Sequence, residues 1–212
     1  MAGPSRRDLA RALEAVADFP DPSPDLEQYL TPAELAAHVC HHAALQGDLE
    51  RRVIDLGTGT GMLAIAASLA GARRVVGVDV DREALGTARE NAERVGSETR
   101  IEWVRGDVRR HPVSASGATV VANPPFGAQR GNRHADRPFL ETANELGAVS
   151  YTIHNGGSQS FVESFASDAG GEVTHAFRAE LPIEHRFAFH DAERETLEAE
   201  VFRIEWASGD SR

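Results

Sequence analysis

Asn123-Pro124-Pro125-Phe126 combines residue types that packing alone does not call for. Each proline fixes its own φ, and Pro125 also restricts Pro124. The run is therefore stiff, and its carbonyl directions are set. Asn123 offers a side-chain amide oxygen and Pro124 a backbone carbonyl. Two acceptors in a rigid frame can hold both hydrogens of a planar –NH2 group and bias its lone pair out of conjugation. Phe126 can stack on the ring that carries the amine, as flipped or single-stranded bases are read. Chemistry of this kind works by orientation and needs no strong general base.

A second set of residues lies upstream. Asp55, Gly57, Gly59, Thr60 and Gly61 form a D-x-G-x-G-T-G run between a short apolar stretch and an Ala-rich one. Glycines let a backbone turn sharply and approach a ligand closely. A dinucleotide fingerprint would be G-x-G-x-x-G; Met62 stands where its third glycine belongs, which argues against NAD. Asp79, followed by Val80, comes about 20 residues after the loop, where a carboxylate can accept both ribose hydroxyls. Asp107 can accept from an amine, and the backbone at Val108 can read the edge of an adenine. The loop has neither a lysine nor a P-loop spacing for phosphates. A nucleoside without phosphates points to S-adenosylmethionine. Its methyl would pass to the held amine by in-line displacement, the proton leaving to water.

These residues need strand ends to hold them in register. The pattern predicts strands over 51–57, 73–80, 100–107, 118–126, 148–153, 171–182 and 194–206, and helices over 5–17, 31–45, 61–71, 81–96, 136–146 and 158–169. Thr31, Pro32 and Glu34 read as a capping-box start, Asp81 and Ser158 as helix caps, and Gly71 and Gly96 as helix ends. Short buried strands alternating with helices predict an α/β, doubly wound seven-stranded sheet flanked by helices, its last two strands forming an antiparallel hairpin. Ligands of such sheets sit at the carboxyl ends of the strands, where the motifs fall. The chain divides into an N-terminal helix and linker (1–23), one domain (24–206) and a polar tail (207–212).

The 212 residues carry a net charge of −11, and all 22 basic residues are arginines. An acidic, lysine-free surface suits solubility in concentrated salt, hence a halophilic source; GC-rich codon usage would act in the same direction. Such a protein does not bind nucleic acid through bulk charge, so any RNA contact must be local. Arg130, Arg133 and Arg137, close after the Pro-Pro run, could touch phosphates at the rim of the site. No apolar run approaches the ~20 residues of a membrane span, and the N-terminus has no signal-peptide core; a cytoplasmic protein is expected. Cys40 is the single cysteine. With His38, His41 and His42 beside it but no registered carboxylate or second cysteine, it reads as helix packing rather than a metal site.

D-x-G-x-G-x-G followed by N-P-P-F resembles the class I, S-adenosylmethionine-dependent amino-N-methyltransferases, with their Rossmann-like sheet and antiparallel last strand. "LEQYLTP" (26–32), "NPPFGAQRGNRHADRPFLETA" (123–143) and "AELPIEHRFAFH" (179–190) narrow this. Together they resemble the methyltransferase-like-five group of small-subunit rRNA adenine-N6 methyltransferases and its archaeal relatives. The resemblance implies that Gln28 and Thr31 close over the methionine end of the cofactor, that Gly57, Gly59 and Thr60 line its backbone, that Asp79 holds the ribose, and that Asp107 and Val108 hold the adenine. It implies that Asn123 to Phe126 hold the target adenine. Leu30 departs from the related pattern, which usually has proline there. A small zinc-ribbon activator subunit is implied as a partner, and the edge strand at 101–105, with Ile101, Trp103 and Val104, could receive it by strand addition. The same pocket could instead serve guanine N2 or a protein glutamine amide, or belong to a non-catalytic ribosome-assembly protein.

Overall fold

In the computed structural model, residues 3–97, 101–125, 135–184 and 194–207 are described. Seven strands form one sheet: β1 (Val53–Leu56), β2 (Val75–Asp79), β3 (Ile101–Arg105), β4 (Ala118–Ala122), β5 (Gly147–Asn155), β6 (Gly171–Glu184) and β7 (Arg194–Trp206). Their order across the sheet is β3-β2-β1-β4-β5-β7-β6. The first five strands pair parallel, and β7 runs antiparallel to both β5 and β6. The doubly wound sheet with an antiparallel last strand is the one the sequence predicts.

The central strands are apolar on both faces because helices cover both. Val53 and Val75 face a layer built from α1 (Arg6–Leu13), α2 (Ala33–Leu45) and α3 (Met62–Leu69), against which Ala92 and Val95 of the α4 region (helix Arg82–Arg94) also pack. Ile54, Leu56, Val76 and Val78 face the other way, toward α5 (Arg137–Leu146) and α6 (Gln159–Asp168). Each fully buried Ile or Leu contributes roughly 1.5–3 kcal/mol relative to exposure. Leu9 and Leu13 of α1 lie in the same core as α2 and α3, so the N-terminal helix is packed into the sheet's own layer.

Four local expectations are corrected, each by a long-range contact. The first helix stops at Leu13 instead of reaching 17. Asn91, fully buried on α4, takes both main-chain groups of Ala17: the N–H donates to Oδ1 and Nδ2 donates to the C=O, each at 2.9 Å. Thr31 does not cap α2; Pro32 occupies the cap position, and the threonine hydroxyl turns elsewhere. Ser158 makes no side-chain cap on α6, whose Gln159 N–H donates to Glu200 Oε2 at 3.0 Å. β3 is an edge strand as expected, but its apolar side chains are not an exposed patch. A Cβ on Gly77 would lie 2.6 Å from Trp103 Cζ3, and one on Gly61 2.9 Å from Cη2, so the two glycines make the space that the indole fills. Ile101 is buried and Val104 packs on the α5–α6 side. What β3 leaves open is its outer backbone edge. Asp81 caps α4 as predicted, accepting from Glu83 N–H.

One buried ion pair ties the entry of β1 to the far strands. Asp48, 2% exposed, accepts from Tyr151 Oη at 2.7 Å and Arg203 Nε at 2.9 Å. Arg203 also donates to Thr174 Oγ1 at 2.7 Å and Glu205 Oε1 at 2.6 Å. Removing the carboxylate leaves a buried guanidinium and a phenol without their shared acceptor. Asp48→Ala is therefore expected to cost about 3–5 kcal/mol, a drop in thermal midpoint of roughly 6–20 °C for a chain of this size. A melting curve followed by circular dichroism checks it; a midpoint within about 2 °C of the parent would show that the pair contributes little.

Candidate functional site

The strand order reverses between β1 and β4, so the crevice outside their carboxyl ends is where a doubly wound sheet binds its ligand. A cavity of about 380 Å³ opens there, within the ~300–1,000 Å³ of small-molecule sites. Its walls come from the loop after β1, the ends of β2, β3 and β4, and the segment 25–31 that crosses above them. All ten residues expected around a cofactor line it: Gln28, Thr31, Asp55, Gly57, Gly59, Thr60, Asp79, Val80, Asp107 and Val108. Asn123 and Pro125 line it too, while Pro124 is buried behind them. Phe126, Arg130 and Arg133 lie outside the described residues. Arg137 does not line the cavity; it donates to Glu141 at 3.0 Å and sits 5.6 Å above the Phe165 ring.

The glycine loop is held from both sides. Gly57 and Thr58 N–H both donate to Val78 C=O at 2.9 Å, and Gly59 N–H donates to Asp79 Oδ2 at 2.7 Å. Gly59 sits at φ +53, and a Cβ there would meet the Phe19 ring at 2.7 Å. The glycine is thus required by backbone conformation and by an aromatic wall at once. Asp79 also accepts from Asp81 N–H through Oδ1, at 2.9 Å. A carboxylate has about four lone-pair sites, so acceptor capacity remains for a diol. Burial holds the Asp79 carboxyl above the usual range. Asp107 caps the short turn after β3 by accepting from Arg109 N–H and stays exposed, able to take a further donor.

Asp55 is 1% exposed, and its two oxygens differ. Oδ2 accepts from the Thr58 hydroxyl at 2.6 Å and from Ala64 N–H at 2.9 Å. Oδ1 is buried and has no partner among the described residues. Burial pushes the carboxyl up to about 7, against the two hydrogen bonds, and the nearby Asp79 charge adds to the rise. Asn123 repeats the pattern. Its Nδ2 donates to Thr31 Oγ1 at 2.9 Å, while Oδ1 is buried and unpartnered among the described residues. An unsatisfied buried acceptor costs about 1–3 kcal/mol. Two of them on one cavity, at the ends of neighbouring strands, mark places for donors from a ligand. Asp55 Oδ1 suits a cationic amine and Asn123 Oδ1 a neutral one.

The segment over the cavity is tied at two points. Gln28 accepts from Ser23 N–H at 2.7 Å and donates to Asp81 Oδ2 at 2.8 Å, which places it beside the Asp79 end of the cavity. Thr31 reaches the β4 end through Asn123.

Several residues of the site escaped the sequence reading. Phe19 and Phe139 form walls against Gly59 and Gly57. Thr58 holds Asp55. Asn91 also donates to Thr60 C=O at 3.0 Å, fixing the loop from beneath. It is the polar member of the stripe Ala84-Leu85-Ala88-Asn91, and an amide on an apolar helix face is a legible sign of a buried contact. His154, 1% exposed, pairs with Asp136 through Nδ1 at 3.0 Å and with Thr152 through Nε2 at 2.9 Å, anchoring the start of α5 beside β5. His38 stacks on Phe177 at 4.1 Å, and His42 lies edge-on to Tyr151 and His175. Burial raises the Cys40 thiol far above its usual range, so it stays protonated.

Residues 39–124 match the model of the ribosomal protein L11 methyltransferase (PrmA) family. The chain is 34% identical over 211 residues to the rRNA N(6)-adenosine-methyltransferase Mettl5 of Drosophila melanogaster, covering 97% of this chain and 98% of that one. The chain belongs to the Mettl5 family. Within reach of the same sequence identity, it is 36% identical to the uncharacterized protein MJ0284 of Methanocaldococcus jannaschii over 94% of each chain. It superposes on the crystal structure of PH1948 from Pyrococcus horikoshii with a TM-score of 0.86, at 36% identity, over 95% of this chain and 98% of that one. The PrmA match takes in the glycine loop, Asp79, Asp107 and the first two residues of the N-P-P-F run, and leaves out Gln28, Thr31 and everything after Pro124. No helix among the described residues is long and apolar enough to cross a membrane.

The raised Asp55 has a consequence for pH. Its folded-state value, about 7, lies above the ordinary 3.8, so the protonated form is favoured in the free fold. The stability it contributes is fully present below about pH 4 and is lost as pH rises through 7. A ligand ammonium at Oδ1 favours the ionised form instead. Affinity for S-adenosylmethionine, measured by calorimetry, is expected to rise by up to about tenfold between pH 6 and pH 8. Asp55→Asn should flatten that rise; an equally steep rise in the variant would assign the titration to another group.

Proposed function

We infer that the chain is an S-adenosylmethionine-dependent N-methyltransferase acting on the exocyclic N6 of an adenine in RNA, with small-subunit rRNA as the favoured substrate. The observation that carries this reading is the buried Asn123 Oδ1 on the cavity wall, unpartnered among the described residues, at a strand end whose backbone a Pro-Pro pair holds stiff. The activity for which the Drosophila relative is named, N6-adenosine methylation of rRNA, is a reaction on a planar amine of the kind this acceptor suits. A cytoplasmic location accords with such a substrate.

S-adenosylmethionine supplies an electrophilic methyl on a sulfonium. The chain's own residues do the rest. Asp55 Oδ1 and the glycine loop would hold the amino-acid end, with Gln28 and Thr31 closing over it; Asp79 would hold the ribose diol, and Asp107 and the backbone at Val108 the adenine. Asn123 Oδ1 and Pro124 C=O accept the two amine hydrogens of the target, turning its lone pair toward the methyl. Phe126, outside the described residues, would stack on the target ring. The N–C bond forms as the S–C bond breaks, and the proton of the resulting ammonium leaves to water. Placement of the amine accounts for most of the rate. A protein glutamine or guanine N2 has the same planar geometry, and an N-P-P run of this kind suits any of these amines.

A zinc-ribbon activator subunit is part of the proposal. The open backbone edge of β3 is where strand addition would occur, with the backbone and not the already packed Trp103 supplying the contact.

The test is methyl transfer from labelled S-adenosylmethionine in high salt, with purified small-subunit rRNA, with and without the activator, followed by nucleoside analysis. Label in N6-methyladenosine is expected, and Asn123→Ala should lower kcat by about 100-fold or more, as loss of one preorganised polar contact does elsewhere. Label in guanosine or in protein would overturn the adenine assignment and keep the pocket. Cofactor binding with no transfer to any acceptor would favour the assembly-factor reading.

A further inference from the structure

Two arginine pairs stand just before two apolar strands: Arg51-Arg52 before β1 and Arg73-Arg74 before β2. The sheet brings them together. Val53 lies opposite Val75 in the parallel β1–β2 pair, and Val53 N–H donates to Arg74 C=O at 2.9 Å. Paired strands run about 4.8 Å apart. Four exposed arginines therefore share the amino end of the sheet, opposite the cavity. On the other side of Arg52 the chain enters β4, and Thr119 N–H donates to Arg52 C=O at 2.9 Å. A crevice of about 510 Å³ opens here, lined by Arg51, Arg52 and residues 114–118. Gly117 makes its turn at φ +73, and Ser114 and Ser116 are exposed.

The charges in this crevice are largely uncommitted. The side chains of Arg73, Arg74, Ser114 and Ser116 make no hydrogen bond or ion pair among the described residues. Arg52 makes one long bond, at 3.5 Å, to Ser114 C=O. Arg51 lies 3.4 Å from Asp48, a carboxylate already shared by Arg203 and Tyr151. Along the stretches that build this end of the sheet, Glu50 is the one exposed carboxylate. In a chain of net charge −11 this is a local reversal of sign. The groups on offer are all donors: guanidinium forks, which match phosphate oxygens, and hydroxyls, which reach phosphates as well.

We propose that this crevice is a second RNA contact, in which Arg52, Arg73, Arg74 and the two serine hydroxyls hold the phosphodiester backbone of the substrate away from the target base. The identity of the polyanion rests on the RNA methyltransferase reading above. The contact serves affinity and not chemistry, because β1 alone spans roughly 13 Å between the crevice and the glycine loop.

Arg52→Gln/Arg74→Gln removes two charges from the crevice. Arg82→Gln/Arg89→Gln removes two from exposed positions of α4 and serves as the control for net charge. Binding of a small-subunit rRNA fragment is followed by fluorescence anisotropy between about 0.1 and 1 M salt. Loss of two phosphate contacts should weaken Kd about tenfold near 0.2 M salt and flatten the slope of log K against log salt by about 1.4. KM for the fragment should rise in proportion, while kcat at saturating RNA and Kd for S-adenosylmethionine stay within about twofold. Arg52→Lys/Arg74→Lys keeps the charge and should keep the slope. Parental affinity and slope in the glutamine variant would overturn the proposal, as would an equal loss in the α4 control or a loss confined to kcat. If the variant binds RNA like the parent but no longer binds polyglutamate, the crevice belongs to an acidic protein segment and the RNA assignment falls. A parent that binds the fragment and methylates nothing would sink the reaction, while the binding slopes still decide the crevice. N6-methyladenosine formed by a variant of parental affinity would uphold the reaction and sink the crevice.

Discussion

Two buried oxygens without partners among the described residues are the constraint on which this structure turns. Asp55 Oδ1 and Asn123 Oδ1 stand at the carboxyl ends of β1 and β4, the two strands between which the sheet changes direction. Their strands are paired, with Asp55 opposite Val121 and Leu56 opposite Ala122, so the spacing between the two acceptors is set by the sheet. Each orphan acceptor weakens the fold by about 1–3 kcal/mol. A flexible loop would collapse to satisfy them. The chain prevents this on one side with Thr58 and Ala64 N–H, which saturate the other oxygen of Asp55, and on the other with two prolines and Thr31.

Much of the remaining architecture serves to keep that crevice open and stiff. Asn91 reaches from α4 to the glycine loop and to the chain leaving α1, so one amide sets both the floor of the loop and the point at which the first helix ends. That end releases Phe19 to form a wall against Gly59. The N-terminal segment, separate by composition, is in this way part of the pocket. The Asp48–Tyr151–Arg203 cluster does comparable work on the same side of the sheet, joining the approach to β1 with β5 and β7 through side chains that water does not reach.

The fold and the cofactor half of the site were legible because their rules are local. Strand periodicity, the glycine spacing and the acidic residues at strand ends are each written within a few consecutive residues, and all ten expected cofactor residues line the cavity. What escaped depends on contacts between residues far apart along the chain. Thr31 obeys the local rule for a helix cap, yet its hydroxyl serves Asn123, 92 residues away. Trp103 reads as an exposed edge residue until Gly61 and Gly77, on other elements, are seen to vacate space for it. Ser158 loses its capping role to Glu200, which arrives from β7. In each case the local preference, worth about 1 kcal/mol for a cap, gives way to a contact that the fold supplies only once the sheet is assembled.

Charge imposes a different division of labour. At −11, with no lysine, the chain repels a phosphate backbone overall. Arg137, one arginine placed to greet RNA near the acceptor motif, pairs with Glu141 and lies over Phe165. Arg105 donates its Nε to Val80 C=O, bracing the β2–β3 rim. Among the described residues, Arg137 and Arg105 thus have structural partners of their own. A site built this way gains little from counterion release, so its affinity for RNA depends weakly on salt compared with a basic binder. Discrimination then falls to what salt does not screen: a stiff pair of acceptors and the shape of a crevice fixed by the sheet.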